Sequence, residues 1–247
     1  VLRARLADAE FFWQQDKKQR LDSFVAPLQA VTFYEGLGDL HAKALRLEKL
    51  ATMLASYIDG CDAKHAGRAG CLAKADLVTG MVGEFPELQG IIGGYYARHD
   101  GEADSVATAI ATHYRPQGPA DDVPETPTAK AVALADKIDT LVGFFGIGAK
   151  PTGSKDPFAL RRAALGVIRI ILDGGLSLPL VTLLQKAAEN YRFDAVDEDL
   201  LPFIRDRLRV YLRDQNMRHD VVAAVLTNSS GDDVCRMTDE ARSLASF

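Results

Sequence analysis

Apolar residues recur at helical spacing along most of the chain, and short breaks rich in glycine and proline separate the periodic segments. Alternating runs of β-branched residues with Asn-Gly turns, which are typical of half-buried strands, do not occur. The sequence therefore predicts an all-α fold. The predicted helices lie at about 2–18, 39–59, 66–82, 103–114, 128–145, 157–173, 179–190, 198–215 and 219–227.

Two irregular segments indicate how the chain is organised. The proline-rich, acidic stretch "YRPQGPADDVPETPT" at 114–128 is expected to be a surface loop. The stretch "DGGLSLP" at 173–179 breaks the helical pattern, and the distribution of charged residues along the chain changes after it. We therefore place a domain boundary there, with a helical core at 1–176 and a C-terminal helical extension at 177–247.

A strong helix start follows the turn-forming run "PTGSK", because Asp156 stands where an N-cap is wanted and Pro157 at the first helical position. Placing residues at 100° steps puts Leu160, Ala163, Ala164, Val167, Ile170 and Ile171 on one apolar face. Arg162 and Arg169 fall close together on the opposite face. The run lacks the G-x-x-x-x-G-K-[ST] frame and a preceding strand, so a mononucleotide loop is not predicted.

Basic residues concentrate around this helix although the net charge of the chain is −5. One acidic residue, Asp156, accompanies five basic ones between 150 and 172: Lys150, Lys155, Arg161, Arg162 and Arg169. A second stripe at i, i+4 and i+8 consists of Arg205, Arg209 and Arg213. Either set would suit a polyanion, and either could instead be a solvated face or pair with neighbouring carboxylates.

Several classes of protein are not indicated. The three cysteines show no C-x-x-C spacing and the five histidines no H-E-x-x-H, which argues against a disulfide framework and a zinc site and favours a reducing, cytoplasmic compartment. The apolar runs are shorter than the ~18 residues of a membrane span. The first residues already read as a helix without an initiator methionine, so we expect a fragment of a longer protein.

Long motifs carry a family resemblance. The runs "RARLADAEFFWQQDKK", "KADLVTGMVGEFPELQG" and "PTGSKDPFALRR" closely resemble the beta subunit of the bacterial heterotetrameric glycyl-tRNA synthetase. The resemblance is strong up to about residue 172 and thinner beyond it, where "FIRDRLRVYL" and "DVVAAVL" still look like the family. It implies a fragment from the middle of that subunit with an HD-domain-like helical core.

The HD fold of metal-dependent phosphohydrolases uses a His, a His-Asp pair and a later Asp as metal ligands, and the resemblance implies an incomplete set here. Asp76 stands at the Asp of the pair, Asp136 supplies the late carboxylate, Arg68 lies near the first histidine position, and His113 matches an auxiliary histidine. We therefore expect a degenerate site without metal and without catalytic residues.

Asp76 and Asp136 each stand among apolar neighbours, so they are expected to be partly buried and to need a partner. Our hypothesis is that Arg68 or Lys74 supplies that partner, with a fixed cation replacing the metal.

In the function implied by the resemblance, the beta subunit chiefly binds tRNA while the alpha subunit holds the adenylate-forming site with its ATP and magnesium. The fragment would be a non-catalytic part of a glycine-tRNA ligase, without its own cofactor. Its partners would be glycine tRNA and the alpha subunit in a heterotetramer, with no membrane contact. The basic residues of both stripes are the candidate tRNA contacts. An active HD-type phosphohydrolase acting on nucleotides and an RNA-free helical scaffold are the alternatives.

Overall fold

The computed structural model describes residues 2–194, 197–228 and 232–245. Within these ranges twelve α-helices and one small antiparallel hairpin are present, which confirms the predicted all-α class. The chain divides into two compact units. The first unit comprises Val1–Tyr114 with Pro124–Asp136, and the second comprises Arg115–Val123 with Lys137–Phe247. The predicted domain boundary between residues 176 and 177 stays a prediction.

The first unit contains six complete helices and the hairpin. The helices are α1 (Leu2–Asp16), α2 (Leu40–Leu54), α3 (Ala63–Leu72), α4 (Gly80–Glu84), α5 (Ile91–His99) and α6 (Asp104–Thr112), and the strands are β1 (Thr32–Tyr34) and β2 (Gly38–Asp39). Single 3-10 turns lie at Leu21–Phe24, Ala26–Ala30, Ala55–Tyr57, Ala75–Val78 and Pro86–Leu88. Helix α7 (Pro127–Gly146) begins in this unit, to which its residues up to Asp136 belong.

Glycines allow helices of the first unit to approach closely. A Cβ atom at Gly70 on α3 would lie 2.7 Å from the carbonyl oxygen of Leu47 on α2, and one at Gly94 on α5 would lie 2.7 Å from the Cβ atom of Ala111 on α6. Since the first neighbour is helix backbone and the second is a methyl group that cannot rotate away, only glycine fits at this separation.

The predicted continuous helix at 66–82 is wrong, because the chain turns between α3 and α4. The carboxylate of Asp16 accepts hydrogen bonds from the backbone N–H groups of Gly80 (3.0 Å) and Met81 (2.9 Å). The hydroxyl of Thr79 accepts one from Val82. These caps start a separate short helix at Gly80.

The second unit contains the rest of α7 together with α8 (Leu160–Gly174), α9 (Leu180–Glu189), α10 (Asp197–Asp214), α11 (His219–Asn228) and α12 (Val234–Ala245). Helix α8 packs against α10 and α12, and α11 packs against both α10 and α12. Helix α12 was not predicted. None of the helices in the described ranges combines the length and apolar character that crossing a membrane requires.

Helix α8 buries the apolar face that its sequence predicts, although it starts later than expected. Ala159 adopts a left-handed conformation with φ 54°, so the helix begins at Leu160 and not at Pro157. Asp156 still caps it, because its carboxylate accepts hydrogen bonds from the N–H groups of Leu160 (2.8 Å) and Arg161 (2.9 Å). Five of the six predicted core positions are buried and Ala163 is half-buried.

Candidate functional site

Asp136 lies in the core of the first unit between two buried lysines. The Nζ atom of Lys74, which follows α3, donates to Oδ2 of Asp136 at 3.0 Å. The Nζ atom of Lys43 on α2 lies 3.2 Å from Oδ1 of the same carboxylate. Burial of two ammonium groups is tolerated because they share this counter-charge and because the ring of Tyr114 lies 3.9 Å from the Lys74 ammonium.

His113 completes this cluster and its hydrogen bonds fix its tautomer. Its Nδ1 atom lies 2.7 Å from the carbonyl oxygen of Ile110, which can only accept, so Nδ1 carries the proton. Its Nε2 atom lies 2.9 Å from Nζ of Lys74. Since an ammonium group can only donate, Nε2 accepts that hydrogen bond through its lone pair and the imidazole is neutral.

The residues of this cluster do not fit a divalent metal ion. A metal would need the Nε2 lone pair of His113 and the oxygens of Asp136, and the Lys74 ammonium already binds both groups. Among the residues with described positions, no group of three or more His, Cys, Asp or Glu side chains could hold a metal. Lys74 thus pairs with Asp136, whereas the replacement of a metal by this fixed cation stays a prediction. Lys43 and Tyr114 are members of the cluster that sequence reasoning missed.

Asp76 is fully buried near this cluster but has a different role. Its Oδ2 atom accepts hydrogen bonds from the backbone N–H groups of Gly90 (2.5 Å) and Gly93 (3.2 Å), which fixes the start of α5. Burial raises the pKa of its carboxyl group from 3.8 to about 6, although these hydrogen bonds and the Lys74 charge act in the opposite direction.

Arg68 does not join the buried cluster. Its guanidinium lies 2.6 Å from Oε1 of Glu102 and 3.0 Å from Oδ2 of Asp22, at a partly exposed position on α3. The hydrogen bond from Arg68 lowers the pKa of Asp22. The alternative in which Arg68 replaces the metal is therefore wrong, and its contacts are those of a structural ion-pair network.

In the second unit, three of the five basic residues around α8 have intramolecular partners. Lys150 pairs with Asp199. Arg161 donates to the carbonyl of Gly153 at 2.6 Å, and Arg169 donates to that of Gly118 at 3.0 Å. The Arg169 side chain is only 14% exposed. Lys155 and Arg162 are exposed, and their side chains have no partner among the described residues.

The three arginines of the second basic stripe, on α10, also differ in their burial and in their partners. Arg205 is half-buried, and Arg209 pairs with Asp206 at 2.9 Å, as the pairing alternative predicted. Arg213 is exposed, and no other residue in the described part of the chain pairs with it. Lys155, Arg162 and Arg213 are thus the exposed cations of these two stripes whose side chains have no hydrogen-bond or ion-pair partner among the described residues. The assignment of all eight basic residues to tRNA contacts stays a prediction.

Comparisons with known proteins agree with one another. A family model described as glycyl-tRNA synthetase beta subunit matches residues 1–227. The glycine–tRNA ligase beta subunit of Phenylobacterium zucineum is 52% identical over 249 residues, covering 100% of this chain and 35% of that protein. The beta subunit of Acidithiobacillus ferrooxidans is 50% identical over 233 residues, covering 92% of this chain and 33% of that protein. The beta subunit of Rhodospirillum centenum is 51% identical over 253 residues, covering 100% of this chain and 35% of that protein. The chain therefore spans about a third of the length of these relatives.

Proposed function

Because this chain belongs to the family of glycyl-tRNA synthetase beta subunits, we propose that it forms part of the tRNA-binding surface used in ATP-dependent attachment of glycine to its tRNA. In this proposal the adenylate chemistry, with its ATP and magnesium, takes place in the alpha subunit, and the present chain is non-catalytic. Its partners are glycine tRNA and the alpha subunit, in a cytoplasmic heterotetramer.

The observation that carries the proposal is the set of three exposed cations without intramolecular partners among the described residues. Arg162 lies on the rim of a groove between α8 and α10, and Lys155 and Arg213 directly precede Asp156 and Asp214, which line the same groove. A cation held by no internal carboxylate is available for a phosphate, and such contacts position a protein along an RNA backbone without reading its sequence.

The phosphohydrolase alternative is not favoured, because the Lys74 ammonium binds the groups that a catalytic metal would need. The alternative of an RNA-free scaffold predicts that the three cations contribute nothing to tRNA binding. A measurement of tRNA affinity against salt concentration therefore separates the scaffold from the RNA-binding surface.

The test uses the full-length beta subunit assembled with its alpha subunit. Replacing Arg162 and Arg213 together by alanine should weaken tRNA binding and reduce the slope of log K against log salt by about 2, since two phosphate contacts are lost. Glycine activation, measured by pyrophosphate exchange without tRNA, should be unchanged. The matched control is Arg218→Ala, which removes an exposed arginine that pairs with Asp220.

The proposal fails if the double variant keeps the salt slope of the unmodified enzyme. It also fails if Arg218→Ala changes the slope as much as the double variant does, because the effect would then reflect total charge and not this surface.

A further inference from the structure

A groove of about 370 Å³ lies between α8 and α10 in the second unit. This volume is within the ~300–1,000 Å³ typical of small-molecule sites. Its lining combines an apolar wall with a cationic rim, and each part comes from both helices. One of the three unpartnered cations, Arg162, lines this groove, and the other two are sequence neighbours of its lining residues Asp156 and Asp214.

The apolar wall consists of Leu165 on α8 with Val210 and Tyr211 on α10. Val210 is 41% exposed, and Tyr211 and Leu165 are half-buried. Burying this surface against a flat apolar or aromatic ligand would be favourable, and a tyrosine ring offers a face on which a nucleobase can stack.

The cationic rim consists of Arg161, Arg162 and Arg207. Arg162 has no partner among the described residues, whereas Arg161 donates to a backbone carbonyl and so keeps its full charge. Arg207 pairs with Asp206, which lowers the pKa of that carboxyl group and partly neutralises the arginine. The rim is therefore most positive on its α8 side.

Two carboxylates also line the groove, and one of them is already engaged. Asp156 accepts the hydrogen bonds that cap α8, so its charge is offset by the N-terminus of that helix. Asp214 is exposed at the end of α10. The capped N–H groups of Leu160 and Arg161 are not available to a ligand, so any anion must be bound by the arginine side chains.

We propose that this groove binds one unpaired nucleotide of an RNA strand, with its phosphate at Arg161 and Arg162 and its base against Val210 and Tyr211. The inference rests on the proposed function and adds the class of RNA structure to it. A paired base has both faces covered by its neighbours in the stack, so only an unpaired nucleotide can present a base to an apolar wall. The juxtaposition of an apolar wall and an anion-binding rim suits a nucleotide better than phosphate alone.

The test compares two fluorescein-labelled RNAs of the same sequence, one single-stranded and one in a duplex, bound to the assembled full-length enzyme. Tyr211→Ala removes the ring on which the base is proposed to stack. It should weaken binding of the single strand about tenfold, as expected for loss of one stacked base, and leave the duplex unchanged. The control Tyr95→Ala removes a tyrosine ring of α5 that is 56% exposed and does not line the groove.

A second measurement does not depend on the folding of a variant. Single-stranded RNA that contains 5-iodouridine is irradiated on the unmodified enzyme, and the cross-linked peptide is identified by mass spectrometry. A cross-link to Tyr211 that excess unlabelled single strand removes supports the proposal, and the absence of any cross-link to the 207–214 segment overturns it.

The two proposals fail in different ways. If Tyr211→Ala binds single-stranded RNA like the unmodified enzyme while the Arg162/Arg213 variant loses tRNA affinity, the groove proposal is overturned and the RNA surface stands. If Tyr211→Ala weakens binding of both RNAs equally, the groove does not select unpaired nucleotides and the proposal is also overturned. An unchanged salt slope in the arginine variant removes the RNA surface itself.

Discussion

Asp76 is a buried carboxylate whose ionisation should make the first unit less stable as the pH rises. It is fully buried, and its Oδ1 atom has no hydrogen-bond partner among the described residues. The pKa of its carboxyl group is about 6 in the folded chain, against 3.8 for the ordinary group. Between these two values the folded state holds a proton that the unfolded state has lost, so raising the pH favours unfolding.

The size of the effect follows from the difference between the two pKa values. One unit corresponds to about 1.36 kcal/mol, so the ionised carboxylate costs the folded state about 3 kcal/mol above both pKa values. Of this, about 2 kcal/mol should develop between about pH 4.5 and about pH 7.5. The substitution Asp76→Asn removes the ionisation, and the amide it introduces still has an oxygen that can accept from the N–H groups of Gly90 and Gly93.

The assay is urea unfolding of the unmodified chain and of Asp76→Asn across this pH range. The free energy of unfolding of the variant minus that of the unmodified chain should increase by about 2 kcal/mol with rising pH. Asp8→Asn, at an exposed position of α1, should give a difference that stays constant. A constant difference for Asp76→Asn as well would refute the reasoning, because burial would then not disfavour the ionised form.

Two further predictions concern the interior of the first unit, one its buried ion pair and the other its helix packing. Lys74→Met leaves Asp136 with less counter-charge and should lower the free energy of unfolding by about 3–5 kcal/mol, measured by urea unfolding with the surface change Lys64→Met as control. An effect no larger than that of the control would show that Lys74 is not needed. Gly70→Ala should cost about 1–3 kcal/mol because its Cβ atom meets the α2 backbone, whereas Gly83→Ala, with open space, should not destabilise. Equal melting temperatures of the two glycine variants would contradict this.

Helix positions and buried faces were predicted best in segments where apolar residues recur with the helical period. The apolar face of α8 is buried almost as its spacing indicates, and α9, α10 and α11 match their predicted spans within about two residues. The start of α8 was displaced because a left-handed residue, Ala159, separates the capping Asp156 from the first helical turn. Backbone conformations of this kind have no signal in hydrophobic periodicity.

Helix α5 could not be predicted because tertiary contacts outweigh its local preferences. Its segment "IIGGYYARH" is rich in glycine, which disfavours helix, yet Gly93 and Gly94 are needed so that α5 can approach Asp76 and α6. Of its two tyrosines, Tyr96 is buried against Trp13 and Tyr95 is exposed.

The candidate sites were predicted in part. Family resemblance pointed to Asp76, His113 and Asp136, and residue chemistry pointed to Lys74 as a partner. Lys43 had no sequence signal, because it joins the cluster from a distant helix. Likewise, only side-chain positions distinguish Arg162, which is exposed, from Arg169, which donates to a backbone carbonyl at the same helical face.

The Lys74 ammonium has a consequence for how the first unit is maintained. Because this cation is part of the polypeptide, it is present at a fixed ratio of one per chain and cannot dissociate, exchange for another ion or be removed by a chelator. The ion pair between Lys74 and Asp136 breaks only when the surrounding helices separate. On refolding it forms again without the binding of a free ion. We therefore expect the stability of this unit to stay the same when the divalent-ion concentration around it changes.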